Sequence, residues 1–190
     1  MDLFQTIPGW DFSLVDKRCM SHPGVIVDLG CLDWDWCKYF IGKKRVIGAD
    51  PLERAIEGTE IYKGLVYNFN GVTKIEDNSI ETDMFSGGNT LVGVITWKQF
   101  LMAFGIDNIS VLKINIEGAE YGLLKSMTNE DFKMIDQIAI SFHDWLNPEW
   151  EKDTQDCISY LTKNGYNVIS TFPQWGWYLA IKNYETSTSK

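Results

Sequence analysis

The stretch Leu112-Lys113-Ile114-Asn115-Ile116-Glu117-Gly118-Ala119-Glu120 joins two kinds of sequence pattern. It completes an apolar, β-branched run from Ile109 to Ile116, whose length is typical of a strand buried on both faces. After Gly118, apolar residues recur at helical spacing: Ala119, Leu123, Leu124 and Met127. Asn115 and Glu117 therefore lie where a strand ends and a helix begins, and in open α/β sheets this is the edge at which ligands bind. The alternative is an ordinary connection with solvated polar side chains.

Two earlier strands end in the same way. Residues 25–30 form an apolar run that closes with Asp28 and Gly30, and residues 45–50 form another that closes with Asp50 before Pro51. Further strands are expected at 61–67, 91–95, 135–142, 166–171 and 177–181, with a hairpin pairing back over 72–75. Helices are expected at 34–41 after an Asp33 N-cap, briefly after Pro51, at 97–104, at 119–127, and from Asn147-Pro148 to about 164.

This alternation predicts an α/β protein with a mostly parallel sheet covered on both faces and an antiparallel pair of strands at its edge. The 190 residues suit one domain. It would comprise an N-terminal arm or small helix over 1–22, a core over 25–181 and a polar tail over 186–190. Residues 76–89 are expected to form a loop or lid.

The composition argues against several classes of protein. A net charge of −9 opposes nucleic acid or an anionic membrane as the main partner. Four cysteines without a C-x-x-C pair are expected to be reduced packing residues, as in a reducing compartment. Neither a signal peptide pattern nor an apolar run of about 20 residues is present, so we expect a cytoplasmic protein.

The spacing of the first two strand ends is typical of a nucleoside site. Asp50 follows Gly30 by about 20 residues, the offset at which an acidic residue reaches ribose hydroxyls. Positions 32 and 34 are Leu32 and Trp34, whereas a dinucleotide loop would carry glycines there. A nucleoside without phosphates, such as S-adenosylmethionine, tolerates a bulkier loop. Methyl transfer is therefore favoured over nucleotide-dependent hydride transfer.

Three motifs resemble the FkbM family of S-adenosylmethionine-dependent methyltransferases: Val27-Asp28-Leu29-Gly30, Ile47-Gly48-Ala49-Asp50-Pro51 and the 112–120 stretch. The family's third motif reads roughly L-K-I-D-V-E-G-A-E, so this chain differs in Asn115 and in one Val-to-Ile exchange. The resemblance implies a three-layer class I methyltransferase (Rossmann-like) fold, whose sheet has about seven strands with the last antiparallel. It also implies O-methylation of a hydroxyl on a small molecule or carbohydrate.

Candidate site residues follow from these motifs. The expected cofactor-binding residues are Asp28, Gly30, Cys31, Leu32, Trp34, Asp50, Pro51 and Asn115, and the expected catalytic residues are His143, Glu117 and Asn115. His143 follows an apolar strand at the ligand edge, which suits a general base.

Alternatives to these roles remain open. Asp144 would orient His143 or stay in solvent, and Glu117 would replace it as the base or bind acceptor hydroxyls. Asn115 would otherwise cap a helix. A metal site of Glu117, His143 and Asp144 is disfavoured because the ligand spacing is not tight. Because Asn115 lacks the charge of Asp, the alternative function is a catalytically silent nucleoside-binding module.

Overall fold

The computed structural model describes residues 4–75 and 88–183. Its strands are β1 Phe4–Ile7, β2 Trp10–Asp16, β3 Val25–Leu29, β4 Val46–Ala49, β5 Thr59–Tyr62, β6 Leu65–Tyr67, β7 Gly71–Ile75, β8 Thr90–Thr96, β9 Ile109–Ile114, β10 Gln137–Ser141, β11 Tyr166–Phe172 and β12 Trp177–Lys182. Its α-helices are α1 Trp97–Phe104, α2 Glu120–Ser126, α3 Asn129–Lys133 and α4 Glu151–Lys163. Most of the predicted 76–89 loop and all of the 186–190 tail lie outside the described residues.

A seven-stranded sheet forms the centre of the molecule, in the order β11-β12-β10-β9-β3-β4-β5. The neighbours β10, β9, β3, β4 and β5 are parallel, and β12 is antiparallel to both β10 and β11. The predicted α/β fold with an antiparallel last strand is thus confirmed. Because the strands are parallel, the carboxyl ends of β3, β4, β9 and β10 meet at one edge.

The two faces of this sheet are covered by different kinds of structure. Leu112 and Ile114 of β9 belong to a core cluster with residues of the four α-helices, whereas Val111 belongs to a second cluster on the opposite face. That second cluster contains residues of β1 and β2 and the aromatic side chains of residues 34–40. The alternation of side chains along a strand accounts for this division.

The expectation of a small helix near the N-terminus is wrong for most of residues 1–22. β1 and β2 form an antiparallel hairpin about Pro8-Gly9, and only Lys17–Met20 forms a 3-10 turn. Gln137, fully buried in β10, anchors the hairpin: its Oε1 accepts from the Asp16 N–H at 2.9 Å, and its Nε2 donates to the Asp16 carbonyl at 3.0 Å. Residues 8–9 therefore form a tight turn between two strands.

Residues 61–96 also differ from expectation, because the predicted 61–67 strand divides between two sheets. β5 remains in the main sheet, whereas β6 joins a separate sheet of order β6-β8-β7. The predicted 72–75 strand pairs with β8 instead of folding back on residues 61–67. The break lies at Gly64, where a Cβ would come within 2.6 Å of the Gly93 carbonyl oxygen, so the two backbones approach too closely for a side chain.

The longer helices are confirmed, but two short ones are not. Thr96 caps α1 by accepting from the Gln99 N–H, and Gly105 ends that helix in the left-handed conformation. Residues 34–41 form 3-10 turns at Leu32–Trp34 and Cys37–Tyr39 instead of an α-helix, and Asp33, with φ of 61°, does not cap one. Residues 51–58 contain no helix, although the Asp50 side chain accepts from the Leu52 and Glu53 N–H groups as a helix cap would.

Three cysteine side chains, those of Cys31, Cys37 and Cys157, are buried free thiols, as expected for packing residues. The side chain of Cys19 lies outside the described part. Within the described residues, we find no helix with the length and apolar character needed to span a membrane. The cytoplasmic location stays a prediction.

Candidate active site

A cavity of about 600 Å³ opens at the carboxyl ends of β3, β4, β9 and β10. This volume is in the range of sites that bind small molecules. Seven of the predicted site residues line it: Gly30, Leu32, Asp50, Pro51, Asn115, Glu117 and His143. The fold therefore brings together the three strand ends that the sequence singled out. Asp28, Cys31 and Trp34 do not line the cavity.

Asp28 is the clearest correction to the predicted cofactor-binding set. Its side chain is buried, and its Oδ1 lies 2.8 Å from the Nζ of Lys113, which is equally buried. Burial raises the pKa of Asp28, although the Lys113 charge opposes the shift. Lys113 Nζ also donates to the Gly30 carbonyl at 2.5 Å. Asp28 thus holds Lys113 beneath the first loop, and a direct contact between Asp28 and a ligand does not fit this arrangement.

Cys31 and Trp34 also lie behind the cavity wall. Both are 1% exposed. The Trp34 ring packs over Gly48, where a Cβ would come within 2.6 Å of the ring, and its Nε1 donates to the Arg54 carbonyl at 2.7 Å. Burial raises the pKa of the Cys31 thiol well above its usual range. These two residues shape the first loop from the core side and do not line the cavity.

Gly30 and Asp50 are held in place by backbone contacts. A Cβ on Gly30, whose φ is 78°, would lie 1.9 Å from the carbonyl oxygen of Asn115, so only glycine fits between the ends of β3 and β9. Asp50 Oδ1 accepts from the N–H groups of Leu52 at 2.9 Å and Glu53 at 3.2 Å. Burial raises the pKa of Asp50, whereas these two bonds lower it. Both bonds use one oxygen of a carboxylate that lines the cavity.

Asn115 lines the cavity and does not cap a helix, since Ala119 is the N-cap of α2. This excludes the structural alternative considered for Asn115. Its backbone N–H donates to the Leu29 carbonyl at 3.0 Å, which ties the ends of β3 and β9 together. Asn115 thus stands at the end of β9 in the wall of the cavity.

His143 lies between two carboxylates. Its Nε2 is 3.1 Å from Glu117 Oε2, and its Nδ1 is 2.9 Å from Glu120 Oε1. Burial disfavours a charge on the imidazole, but Glu120 and Glu117 outweigh it and raise the pKa of His143 to about 10. A protonated imidazole has no lone pair with which to accept a proton. The predicted role of His143 as general base therefore does not fit this site, and Glu117 is the group left in a position to take a proton.

Glu120 is a residue of this arrangement that the sequence interpretation missed. It is fully buried at the start of α2, and its two oxygens accept from the N–H groups of Ile116 at 2.8 Å and Gly118 at 2.9 Å. Between those two donors lies Glu117, whose φ of 52° is left-handed and uncommon for a residue with a Cβ. The available signal was a second acidic residue three positions after Glu117 in the same motif.

Aromatic side chains form another part of the cavity wall. The Trp145 ring centroid lies 5.7 Å from that of His143, and Trp10 packs edge-on against Trp177 at 5.9 Å. Trp145 and Trp175 are 43% and 49% exposed while also lining the cavity. They stand at its rim, where one face of each indole can meet a ligand. Trp10 belongs to the N-terminal hairpin, so that hairpin contributes to the site.

The charges around the cavity are mostly negative. The acidic residues that line it are Asp33, Asp35, Asp50 and Glu117, and His143 is the one basic residue among the described residues that do so. Lys113 lies behind the wall. In the described part of the chain, no group of three His, Cys, Asp or Glu side chains is arranged to hold a metal ion. The cavity thus suits a neutral or positively charged organic ligand.

Comparison with known proteins identifies the same family as the motifs. The methyltransferase FkbM domain model matches residues 54–168, more than half of the chain. The crystal structure of methyltransferase FkbM from Methylobacillus flagellatus KT is similar, with 14% sequence identity and a TM-score of 0.54 over 83% of this chain and 43% of that one. At this identity the likeness concerns the fold, and our chain spans less than half of that protein. A search of curated proteins gives no match.

Proposed function

Because the chain belongs to the FkbM methyltransferase family, we propose that it transfers a methyl group from S-adenosylmethionine to a hydroxyl oxygen of a small molecule or carbohydrate. The observation that carries this proposal is one cavity with Asp50 at one strand end and the Glu117–His143 pair at another. A nucleoside-binding carboxylate and a proton acceptor then flank a common space.

The residues present fit S-adenosylmethionine. Asp50 would accept hydrogen bonds from the ribose hydroxyls, in charge-assisted contacts. The apolar side chains Leu32, Pro51 and Leu52 line the cavity beside it and suit the adenine ring. Asn115 would bind the methionine portion. The acidic lining favours a ligand that carries a positive sulfur.

When bound, S-adenosylmethionine supplies an electrophilic methyl group on its sulfonium sulfur. The protein's part is to hold the acceptor hydroxyl in line and to remove its proton as the oxygen becomes a nucleophile. Glu117 lines the cavity with a side chain that is 16% exposed, so its carboxylate can accept that proton. The charged His143 orients the carboxylate by holding Oε2. Trp145 and Trp175 offer flat apolar faces to the acceptor.

Calorimetric titration of S-adenosylmethionine and S-adenosylhomocysteine tests the cofactor. Asp50→Asn keeps an oxygen that can accept from Leu52 and Glu53 but loses the charge, so we expect an affinity loss of about tenfold or more. Asp156→Asn, at an exposed position of α4, is the matched control and should bind like the wild type. Absence of binding in the wild type at millimolar ligand would refute the proposed cofactor.

Formation of S-adenosylhomocysteine in the presence of methyl glycosides and simple polyols tests the reaction. Glu117→Gln should bind the cofactor normally and lose about 10²–10⁴-fold in turnover, the contribution typical of a general base. Glu57→Gln, exposed and outside the cavity, is the control. Tight cofactor binding without turnover on any hydroxyl compound would favour the alternative, a silent nucleoside-binding module, which the neutral Asn115 supports.

A further inference from the structure

Glu120 does not line the cavity. It contacts the backbone N–H groups on both sides of Glu117, and it lies beside the His143 ring. We infer that Glu120 is a positioning residue, which holds the Glu117 carboxylate toward the acceptor through His143 and through the backbone of residues 116–118. This inference rests on the proposed function, because it presupposes that Glu117 takes a proton from the acceptor.

The first route runs through the backbone. Glu120 Oε1 accepts from the Ile116 N–H and Oε2 from the Gly118 N–H, so the carboxylate spans the peptide groups on either side of Glu117. The left-handed conformation of Glu117 costs free energy and persists only where its surroundings impose it. Such outliers are concentrated at functional sites. The Glu120 carboxylate supplies two side-chain contacts to this turn, beside the backbone bond from the Ala119 N–H to the Ile116 carbonyl at 3.2 Å.

The second route runs through the imidazole. Glu120 Oε1 faces His143 Nδ1 at 2.9 Å, while His143 Nε2 faces Glu117 Oε2 at 3.1 Å. His143 is 2% exposed and follows β10, whereas the two carboxylates beside it come from the connection between β9 and α2. The ionisable side chains that face it are Glu117 and Glu120, with Asp144 adjacent in the chain. A negative Glu120 therefore favours a proton on Nδ1, as a negative Glu117 favours one on Nε2.

Replacement by glutamine is the sharpest test of both routes. Gln has nearly the same shape but no charge, and it offers one acceptor oxygen where Glu120 uses two. Its NH₂ group would face a backbone N–H at either Ile116 or Gly118. Glu120→Gln should therefore release one end of the turn and remove one of the two charges that keep His143 protonated.

The experiment is NMR titration of imidazole resonances in ¹³C,¹⁵N-histidine-labelled protein. The chain has two histidines, so His22→Gln assigns both resonances. In the wild type, we expect both ring nitrogens of His143 to remain protonated at pH 8. In Glu120→Gln the His143 pKa should fall by about one unit or more. In the control Glu57→Gln it should not move.

A parallel kinetic measurement uses methyl transfer from S-adenosylmethionine to methyl α-D-glucopyranoside. Glu120→Gln and His143→Gln should each lower kcat by about tenfold or more, because misplacement of a reacting group has effects of that size. The KM for S-adenosylmethionine should stay within about threefold, since Asp50 and the first loop are untouched. A merely structural role would not lower kcat while leaving this KM in place.

Several results would overturn the inference. These are a wild-type His143 that titrates near its ordinary pKa, a Glu120→Gln variant with unchanged His143 titration, or a His143→Gln variant with unchanged kcat. If Glu120→Gln does not fold, the wild-type His143 titration and the kcat of His143→Gln still decide whether the inference holds. If the wild type methylates no methyl glucoside, the proposed acceptor fails, while the NMR titration separately decides whether Glu120 controls His143.

Discussion

The ion pair between Lys113 and Asp28 is the contact whose loss we expect to destabilise the protein most. Both side chains are 1% exposed, and Nζ lies 2.8 Å from Oδ1. Lys113→Met keeps most of the side-chain volume but leaves Asp28 as an uncompensated buried charge. Breaking a buried pair in this way costs about 3–5 kcal/mol. That is a large share of the roughly 5–15 kcal/mol that stabilises a typical domain.

The stability lost in Lys113→Met should depend on pH in a defined direction. Burial already raises the pKa of Asp28, and without the Lys113 charge that pKa rises further. A carboxyl with a raised native pKa is stabilising below its unfolded-state pKa of about 3.9, and the contribution is lost as the pH rises through the native pKa. The cost of Lys113→Met should therefore shrink as the pH falls from 7 to 5, by up to about 1.4 kcal/mol per pH unit.

Urea denaturation followed by tryptophan fluorescence measures both effects. The matched control is Lys133→Met, which removes an exposed ion pair to Glu130 at 2.6 Å, with side chains 69% and 78% exposed. We expect it to change stability by less than about 0.5 kcal/mol.

A double variant separates the charge from the packing. Combining Asp28→Leu with Lys113→Met removes both charges and should recover about 2 kcal/mol or more over Lys113→Met alone. The reasoning would be refuted if Lys113→Met cost no more than Lys133→Met, or if its cost did not diminish in acid.

Two further predictions concern the site. Gly30→Ala should destabilise the protein by more than about 2 kcal/mol in urea denaturation, because the new Cβ would meet the Asn115 carbonyl at 1.9 Å. The control Gly42→Ala, also left-handed at φ 76° but with open space around it, should cost only about 1 kcal/mol. Equal costs for the two variants would contradict the close approach at Gly30. For His143, whose pKa is raised to about 10, the stabilising charge is fully present below about pH 6.5 and is lost as the pH rises toward 10. The stability difference between wild type and His143→Gln, measured at intervals from pH 6.5 to 10, should therefore narrow by up to about 1.4 kcal/mol per pH unit, and a constant difference would contradict a charged His143.

Much of the site could be predicted because strand ends are visible in a sequence. The runs that end at Gly30, Asp50 and Asn115 became β3, β4 and β9, and parallel strands place these ends side by side. The cavity lining confirms that Asp50, Asn115 and Glu117 lie at one edge. Local hydrophobic periodicity is enough for this step, since it determines which residues start and end a buried strand.

The N-terminal hairpin and the loop after β3 were not predictable in the same way. Trp34 lies in a 3-10 turn because its ring fills the space over Gly48, and β1 and β2 form a hairpin that Gln137 anchors at Asp16. Both depend on partners far away in the sequence. The helix expected over 34–41 after an Asp33 N-cap rested on a local signal that these tertiary contacts overrode.

The sequence by itself thus determined the family, the main parallel strands, the longer helices, and the strand ends that meet at the cavity. Only the tertiary structure decided which charged residues are available there. Asp28 and Lys113 are neighbours in the β3–β9 register, so they pair with each other beneath the sheet edge, and neither lines the cavity. His143 is enclosed by Glu117 and Glu120, which raise its pKa to about 10. The physical reason is that the charge of a buried group depends on the groups that share its space, and local sequence patterns do not contain that information.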